Sequence, residues 1–376
     1  MPVAGQVSSS GRRTGAIGTG AALAIRITSG SIMTGSTMAL NIQLDDRGDD
    51  LALESPEDTL PGRPVDTRLR GRNVIADTDL APAEIALLLE TATWLKTLRG
   101  RRQPHPYLAG KTLGLIFQHP STRTRNAFQA GMDQLGGHAT FLGTHDLQLT
   151  RGETLADTAR IMSGYVDGIA ARFADHDDLL RFAAGASVPV FNALSARFHP
   201  IEAWSDLFTL QERFGRLAGL HLAYVGDGNN VCHSLLLSAA AMGVNVAVAT
   251  PPEHQPDPAI VDQARQLASA SGATVTITAD PVAATTDADA VYTDVHESMG
   301  EGNDPAKLAA LAPYKVTTAL MATATPAAVF MHCLPLRRGE EVDAAVADGP
   351  RSIIFEQAEN RLHVHKALLL HALASP

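Results

Sequence analysis

The sequence predicts an α/β protein built from two doubly wound parallel-sheet domains that are linked by helices. Short apolar runs alternate with longer amphipathic segments along the chain, and this alternation occurs in two separate series. Strands that alternate with helices of about 10–15 residues are typical of βαβ units, in which helices cover both faces of a parallel sheet. Two such series therefore indicate two α/β domains.

Each predicted element has its own local signal. The first series of strands comprises Thr112–Phe117, Ala139–Leu142, Gly168–Phe173 and Val188–Phe191. The second series comprises His221–Val225, Asn245–Ala249, Thr274–Ile277, Ala290–Tyr292, Val329–Met331 and Ser352–Phe355. The predicted helices run from the start signal Asp79-Leu80-Ala81-Pro82 to Leu98, and over Asn126–Leu135, His199–Arg213 and the amphipathic tail Gln357–Leu373.

The expected domain boundaries follow changes in composition. Residues 1–68 are rich in Gly, Ser and Thr, then acidic, without a sustained apolar period, so we expect a disordered N-terminal extension. Met33 and Met38 are alternative starts between which the sequence does not decide. We expect a first domain at 69–205, a second at 206–350, and a C-terminal helix at 351–376 that packs back on the first domain.

Net charge and cysteine usage exclude several classes of protein. A formal net charge of −10 argues against non-specific nucleic-acid binding, although a local cluster of cations could still bind an anion. No stretch approaches the ~18 apolar residues of a membrane span. Cys232 and Cys333 have neither the spacing of a disulfide framework nor that of metal ligands, which indicates a reducing, cytoplasmic location.

An export signal is the alternative interpretation of the N-terminus. Arg12-Arg13 precede a run of small residues from Ala16 to Ile25, as in twin-arginine signals. This run is short, consists mostly of Gly and Ala, and is interrupted by Arg26, so the cytoplasmic interpretation is favoured.

The sharpest local signal for function is the segment from Ser121 to Arg125, which follows a predicted strand and opens a helix. The start of a helix offers unpaired backbone N–H groups and the positive end of the helix dipole, so it binds anions readily. Ser121 and Thr122 add hydroxyl donors, and Arg123 adds a planar fork that suits phosphate oxygens. The simpler alternative is a Ser N-cap followed by solvated arginines.

The segment Ser121-Thr122-Arg123-Thr124-Arg125 resembles the carbamoyl-phosphate signature of the aspartate and ornithine carbamoyltransferases, and the resemblance extends from Asn73 to the C-terminus. It implies two α/β domains with an active site in the interdomain cleft, no cofactor and no metal. It also implies a homotrimer, or a multiple of trimers, with active sites between subunits. The implied reaction transfers the carbamoyl group of carbamoyl phosphate to the side-chain amine of L-ornithine, as in arginine biosynthesis or urea-cycle-type metabolism.

The resemblance also implies the residues of the site. The implied carbamoyl-phosphate ligands are Ser121, Thr122, Arg123, Thr124, Gln148, Arg172, His199, Glu202, Cys333, Leu334 and Arg361. The implied ornithine ligands are Asn230, Asp294, Ser298 and Met299. The residues implied in catalysis are Arg172, His199, Asp294, Cys333 and Arg361.

Taken alone, several of these residues have a structural interpretation. An Arg at the end of a strand, such as Arg172, is more often a surface ion pair, and a His before Pro, such as His199, is more often a turn residue. The resemblance implies instead that Arg172 contacts both carbonyl and phosphate, that His199 polarises the carbamoyl oxygen, and that Gln148 reaches the neighbouring subunit's phosphate site. It further implies that the Leu334 carbonyl holds the carbamoyl NH2.

Four positions depart from the pattern of the family. Glu202 stands where the family usually has Gln, and Trp204 interrupts the usual Leu-Ala-Asp that follows. His119 and His296 replace the more common Lys and Trp. An ionised Glu202 would place a negative charge near an anionic substrate and weaken its binding.

These departures leave alternatives open. A paralogue could carbamoylate another diamino acid in a specialised pathway, and a non-catalytic relative could bind only a phosphorylated ligand or partner. An NAD enzyme is disfavoured, because the turn from Gly226 to Asn230 lacks the third Gly of the dinucleotide fingerprint and the next strand ends without an acidic residue.

Overall fold

The computed structural model describes residues 67–297, 302 and 304–375. The disordered extension was predicted for residues 1–68, and all of it except residues 67 and 68 lies outside the described residues. Ser298 and Met299 also lie outside them. The described chain opens with a 3-10 turn at Thr67–Leu69.

Two parallel sheets organise the described residues, which confirms the predicted fold class. The first sheet contains β1 (Thr112–Phe117), β2 (His138–Gly143), β3 (Gly168–Arg172) and β4 (Val190–Leu194) in the order β2-β1-β3-β4. The second contains β5 (His221–Val225), β6 (Asn245–Ala249), β7 (Val275–Thr278), β8 (Ala290–Thr293) and β9 (Val329–His332) in the order β7-β6-β5-β8-β9.

Helices precede, connect and follow these strands. They are α1 (Pro82–Gly100), α2 (Thr122–Gln134), α3 (Leu155–Ser163), α4 (His176–Gly185), α5 (Pro200–Phe214), α6 (Asn230–Ala241), α7 (Pro258–Ser271), α8 (Pro281–Thr285), α9 (Pro305–Leu311), α10 (Thr318–Met321), α11 (Ala344–Ala347) and α12 (Ile354–Leu373). Among the helices of these described ranges, none has the length and apolar character needed to cross a lipid bilayer.

One predicted strand, Ser352–Phe355, is wrong. Ser352 forms an isolated parallel bridge with Phe330, and the chain enters α12 at Ile354. The run of branched and aromatic residues favours a strand locally, but α12 extends over 20 residues and packs against α1, α2 and α5. This tertiary packing outweighs the local preference.

Helices α5 and α12 fill the space between the two sheets. Residues 200–210 of α5 are all buried, as are residues 363–373 of α12. Polar contacts join the helices to their neighbours: Asn360 donates to the hydroxyl of Thr209 at 3.0 Å, and His371 lies 2.9 Å from the hydroxyl of Thr91. A single apolar core extends from the first sheet through α5 to the second.

The strand orders determine where ligands can bind. From β1 the chain moves to β2 on one side and then to β3 on the other, and from β5 it moves to β6 and then to β8. Open α/β sheets bind ligands beyond the carboxyl ends of the strands at such reversals, where loops diverge and leave a crevice.

A buried carboxylate connects the segment before α1 to α6. Asp77 accepts hydrogen bonds from the hydroxyls of Ser234 at 2.6 Å and Ser238 at 2.7 Å. Ser234 in turn accepts the backbone N–H of His199 at 2.8 Å. Burial raises the pKa of Asp77 to about 7, because the charged form loses its hydration and the two hydroxyls recover only part of it.

The raised pKa of Asp77 predicts a specific dependence of stability on pH. The carboxyl group of an unfolded Asp has a pKa of ~4. Above that pH the folded state binds more protons than the unfolded state, and the stability that these protons give is lost as the pH rises towards about 7. Asp77→Asn removes the titration. The free energy of unfolding of the wild type, relative to this variant, should fall by up to about 1.4 kcal/mol per pH unit between roughly pH 4.5 and 7.

Urea titrations at pH 5, 6, 7 and 8 measure this difference. Asp262→Asn is a matched control, because the Asp262 side chain is 70% exposed on α7. A constant difference in unfolding free energy between wild type and Asp77→Asn from pH 5 to pH 8 would contradict the prediction.

Candidate active site

A cleft of about 890 Å³ lies beyond the carboxyl ends of strands from both sheets. Its size suits two small ligands held side by side. Its lining includes Ser121, Thr122, Arg123, Thr124, Arg172, His199, Glu202, Asn230, Asp294, Cys333, Leu334 and Arg361. The structure therefore brings together twelve residues that the sequence singled out on seven separate segments of the chain.

The start of α2 forms one wall of the cleft. Ser121 is the N-cap residue, and its hydroxyl accepts the backbone N–H of Thr124 at 3.3 Å. The helix begins at Thr122, four residues earlier than predicted, so the whole Ser-Thr-Arg-Thr segment belongs to its first turn. The remaining N–H groups of that turn point out of the helix end, towards the position where an anion would sit.

Three guanidinium groups meet in the cleft. Arg172 is 2% exposed and Arg361 is 3% exposed. Burial, followed by the nearby charge of Arg361, lowers the pKa of both Arg123 and Arg172, the latter to about 10. A lowered pKa means that the charged forms of Arg123 and Arg172 are disfavoured in the empty cleft, so this arrangement favours an anionic ligand between them.

Glu202 is the carboxylate inside this cationic cluster. It lies on the first turn of α5, is 1% exposed, and forms an ion pair through Oε1 with Nη2 of Arg361. Its other oxygen, Oε2, lies 3.3 Å from Nε2 of His199. Burial raises the pKa of Glu202, although Arg361 opposes this shift.

His199 is held neutral in this environment. Burial, Arg361 and Arg172 lower its pKa well below the usual value, because each disfavours an additional positive charge. A neutral imidazole has one N–H donor, and an ionised carboxylate only accepts. The ring of His199 is therefore a neutral group in close contact with the carboxylate, its Nε2 lying 3.3 Å from Oε2 of Glu202.

A second hydrogen-bond network lies on the side of the second sheet. Asp294 accepts the thiol hydrogen of Cys333 through Oδ1 at 3.0 Å and the amide of Asn229 through Oδ2 at 2.8 Å. Asn229 also caps α6, since its Oδ1 accepts the N–H groups of Val231 and Cys232. Burial and the charge of Asp294 raise the pKa of Cys333 well above its usual range, so it is a thiol at neutral pH.

Asn230 connects the two halves of the cleft. Its side-chain amide donates to the carbonyl of Ser195, just after β4, at 2.7 Å. The predicted acceptor-binding residue thus also holds the start of α6 against the end of the first sheet.

His332 orients the turn that carries Cys333 and Leu334. Its Nδ1 accepts the backbone N–H of Leu334 at 2.8 Å, so the hydrogen of a neutral ring is on Nε2, 3.2 Å from Oε1 of the buried Glu341. Ligand atoms of Asp294, His332 and Cys333 lie within 4.8 Å of one another, as a metal site would require. Each of these groups is used in a hydrogen bond, so the cluster is a hydrogen-bond network.

The turn that resembles a dinucleotide fingerprint packs against residues 254–256. A Cβ atom on Gly228 would lie 2.2 Å from the backbone nitrogen of Pro256 and 2.6 Å from the carbonyl oxygen of His254. The glycine is required because residues 254–256 pack on it, so its presence in this turn is explained without a bound dinucleotide.

Three predicted site residues lie outside this arrangement. Gln148 is exposed on a 3-10 turn and does not line the cleft, so its implied contact with a neighbouring subunit stays a prediction. Ser298 and Met299 are outside the described residues.

Asn229 and the ion pair Asp227–Lys307 also line the cleft, and neither was predicted from the sequence. Its helix-capping role could have identified Asn229. Lys307 lies on α9 and forms a 2.7 Å ion pair with Asp227 after β5, a contact between distant segments that no local pattern indicates.

Comparisons with known proteins agree with this geometry. Residues 72–212 match the family model described as "Aspartate/ornithine carbamoyltransferase, carbamoyl-P binding domain", and residues 218–372 match "Aspartate/ornithine carbamoyltransferase, Asp/Orn binding domain". The ornithine carbamoyltransferases of Thermococcus kodakarensis and Symbiobacterium thermophilum are 49% and 50% identical, over 80% and 82% of this chain and 96% and 100% of theirs. The structure of the Pyrococcus furiosus ornithine carbamoyltransferase has a TM-score of 0.79 at 47% identity, covering 81% of this chain and 98% of that one.

The environment of the cysteines predicts that both react slowly. Cys232 and Cys333 are buried and unpaired, and burial raises the pKa of each thiol well above its usual range. Alkylation by iodoacetamide at pH 7.5 should be on the order of 100-fold or more slower in the native protein than in urea, because the thiolate is the nucleophile. Peptide mass spectrometry follows each cysteine separately, and fast modification of native Cys333 would contradict the prediction.

Proposed function

The chain belongs to the aspartate/ornithine carbamoyltransferase family, and from that premise we propose that it transfers the carbamoyl group of carbamoyl phosphate to the side-chain amine of L-ornithine, releasing L-citrulline and phosphate. The observation that carries the proposal is the convergence of Arg123, Arg172 and Arg361 on one cleft with the first turn of α2. A phosphate dianion beside an electrophilic carbonyl group matches that set of donors.

In this proposal the phosphate binds at the start of α2. The free N–H groups of the first turn, the hydroxyls of Thr122 and Thr124, and the guanidinium groups of Arg123 and Arg172 surround its oxygens. Ser121 is already engaged as the N-cap, so its hydroxyl keeps the turn in shape and can still donate.

The carbonyl group lies deeper in the cleft. Arg361 and His199 polarise its oxygen, and the carbonyl of Leu334 accepts a hydrogen from the carbamoyl NH2. The amine of ornithine approaches from the side of Asp294 and Cys333, where Asn230 binds the amino-acid end. Cys333 is a thiol that donates to Asp294, so it positions the carboxylate and does not act as a nucleophile.

The chemical step needs little from the protein beyond positioning. The new bond joins the amine nitrogen to the carbonyl carbon, the bond from that carbon to the bridging phosphate oxygen breaks, and the amine proton leaves with the phosphate. Fixed donors that face the carbonyl oxygen and the phosphate stabilise the charge that develops on them.

Assembly, location and pathway complete the proposal. A homotrimer, or a multiple of trimers, would allow Gln148, exposed beyond the cleft, to reach a neighbouring subunit's phosphate site. Ser298 and Met299, which lie outside the described residues, stay proposed ligands of the amino acid. The two unpaired cysteines fit a cytoplasmic enzyme, and we place the reaction in arginine biosynthesis or urea-cycle-type metabolism.

A related diamino acid is the second candidate for the acceptor. His296, two residues after Asp294, is buried behind the lining of the cleft, and burial lowers its pKa, which favours a neutral ring. Product formation from ornithine and from shorter and longer diamino acids, each at saturating carbamoyl phosphate, separates the two candidates by kcat/KM.

Arg123→Ala tests the phosphate site. Loss of a charge-assisted contact should raise KM for carbamoyl phosphate by about 10- to 100-fold. Arg125→Ala is the matched control two residues along α2, because Arg125 stacks on Phe141 at 3.5 Å and bonds Gln129, away from the cleft. Steady-state kinetics measure both variants, and an unchanged KM and turnover in Arg123→Ala would refute the assignment.

The pH dependence of the reaction tests the attacking group. An alkyl amine has a pKa near ~10.4, so its reactive neutral form grows about tenfold per pH unit below that value. At saturating carbamoyl phosphate, kcat/KM for ornithine should therefore rise steadily from pH 6.5 to 9. A flat profile over this range would count against attack by the free amine.

A further inference from the structure

Glu202 contacts both groups that the proposed reaction needs at the carbonyl oxygen. One carboxylate oxygen is paired with Arg361, and the other lies 3.3 Å from Nε2 of His199. An ionised Glu202 therefore competes with the substrate carbonyl for Nη2 of Arg361 and attracts a hydrogen on Nε2 of His199.

The charge of Glu202 also opposes the substrate itself. Glu202 is 1% exposed, so little water screens it from a dianion bound against Arg123 and Arg172. A proton on Glu202 removes this repulsion and loosens its hold on Arg361 and His199.

We propose that Glu202 takes up a proton when carbamoyl phosphate binds, which frees Arg361 and His199 for the carbonyl oxygen and leaves a neutral carboxyl group to accept the carbamoyl NH2. This inference rests on the proposed function. A protonated carboxyl group has the shape and the acceptor oxygen of a glutamine amide, so it can serve where an amide would.

Other ionisable groups face Glu202 from every element packed against it. They are Arg123 on α2, Arg172 on β3, His199 and Asp206 on α5, Tyr292 on β8, Asp294 after β8, Cys333 after β9, and Arg361 on α12. Burial already raises the pKa of Glu202, and the negative charge of a bound substrate shifts that pKa further in the same direction.

The other ionisable groups around Glu202 are less suitable as the group that takes up the proton. Cys333 and Tyr292 already carry their protons, because burial raises the pKa of each. Asp206 holds Tyr292 at 2.9 Å and Gln357 at 2.6 Å, and does not line the cleft. Asp294 has both oxygens in hydrogen bonds with Asn229 and Cys333. His199 would have to become a cation beside Arg361 and Arg172, which lower its pKa.

Calorimetry of carbamoyl phosphate binding, without any amine, measures proton uptake directly. Titrations at pH 7.5 in two buffers of different ionisation enthalpy give the number of protons taken up per site. Glu202→Gln should take up fewer protons than the wild type, by up to one per site. Glu356→Gln, the same change of charge at an exposed position on α12, should behave as the wild type.

The affinity for carbamoyl phosphate should show the same linkage. Between pH 7 and 9 the wild-type affinity should fall more steeply than that of Glu202→Gln, by up to about tenfold per pH unit. In the wild type alone, difference infrared spectra should gain a protonated-carboxyl band on binding, a readout that does not depend on the folding of a variant.

Two results would overturn the inference while the proposed function stands. One is equal proton uptake by wild type and Glu202→Gln, and the other is normal binding and turnover by the wild type with no carboxyl band. If carbamoyl phosphate neither binds nor is turned over, the proposed function itself fails, and the inference fails with it.

Discussion

The convergence of three guanidinium groups, two of them removed from water, is the constraint around which the cleft is built. Arg172 and Arg361 are almost completely buried, and the charge of Arg361 disfavours the charged forms of both Arg123 and Arg172. Burying these charges costs free energy, and two contacts of Arg361 offset part of that cost. Arg361 pairs with Glu202 and donates a hydrogen bond to the carbonyl of Cys333 at 3.1 Å. The remaining cost favours the binding of an anion, because a bound dianion supplies negative charge that the protein lacks beside these arginines.

The cluster is held in place by α5 and α12, which are buried against each other. Glu202 lies on the first turn of α5 and Arg361 in the middle of α12, so the ion pair joins the two helices that pack between the sheets. Gln357 strengthens the same contact: it donates to Asp206 on α5 and accepts the backbone N–H of His332 at the end of β9. Contacts of α12 thus join the arginine cluster to α5 and to the second sheet.

Several features of the chain were predictable from its sequence because they depend on local periodicity and helix-end chemistry. The boundaries of β1, β5 and β6 were predicted to the residue, and the Ser-Thr-Arg-Thr segment was recognised as the start of a helix. The strand at Ser352–Phe355 was wrong, since burial of α12 against α1, α2 and α5 outweighs the local preference of its branched and aromatic residues. The capping of α6 by Asn229 had a recognisable signal, whereas the contact of Lys307 with Asp227 had none.

By itself the sequence determined the alternation of strands and helices, the two sheets and the residue types of an anion site, because hydrophobic period and capping residues are encoded within a few neighbouring positions. Only the tertiary structure decided that Glu202 pairs with Arg361 and faces His199. Glu202 and Arg361 are separated by 159 positions, and the state of a buried carboxylate depends on which charges fold around it.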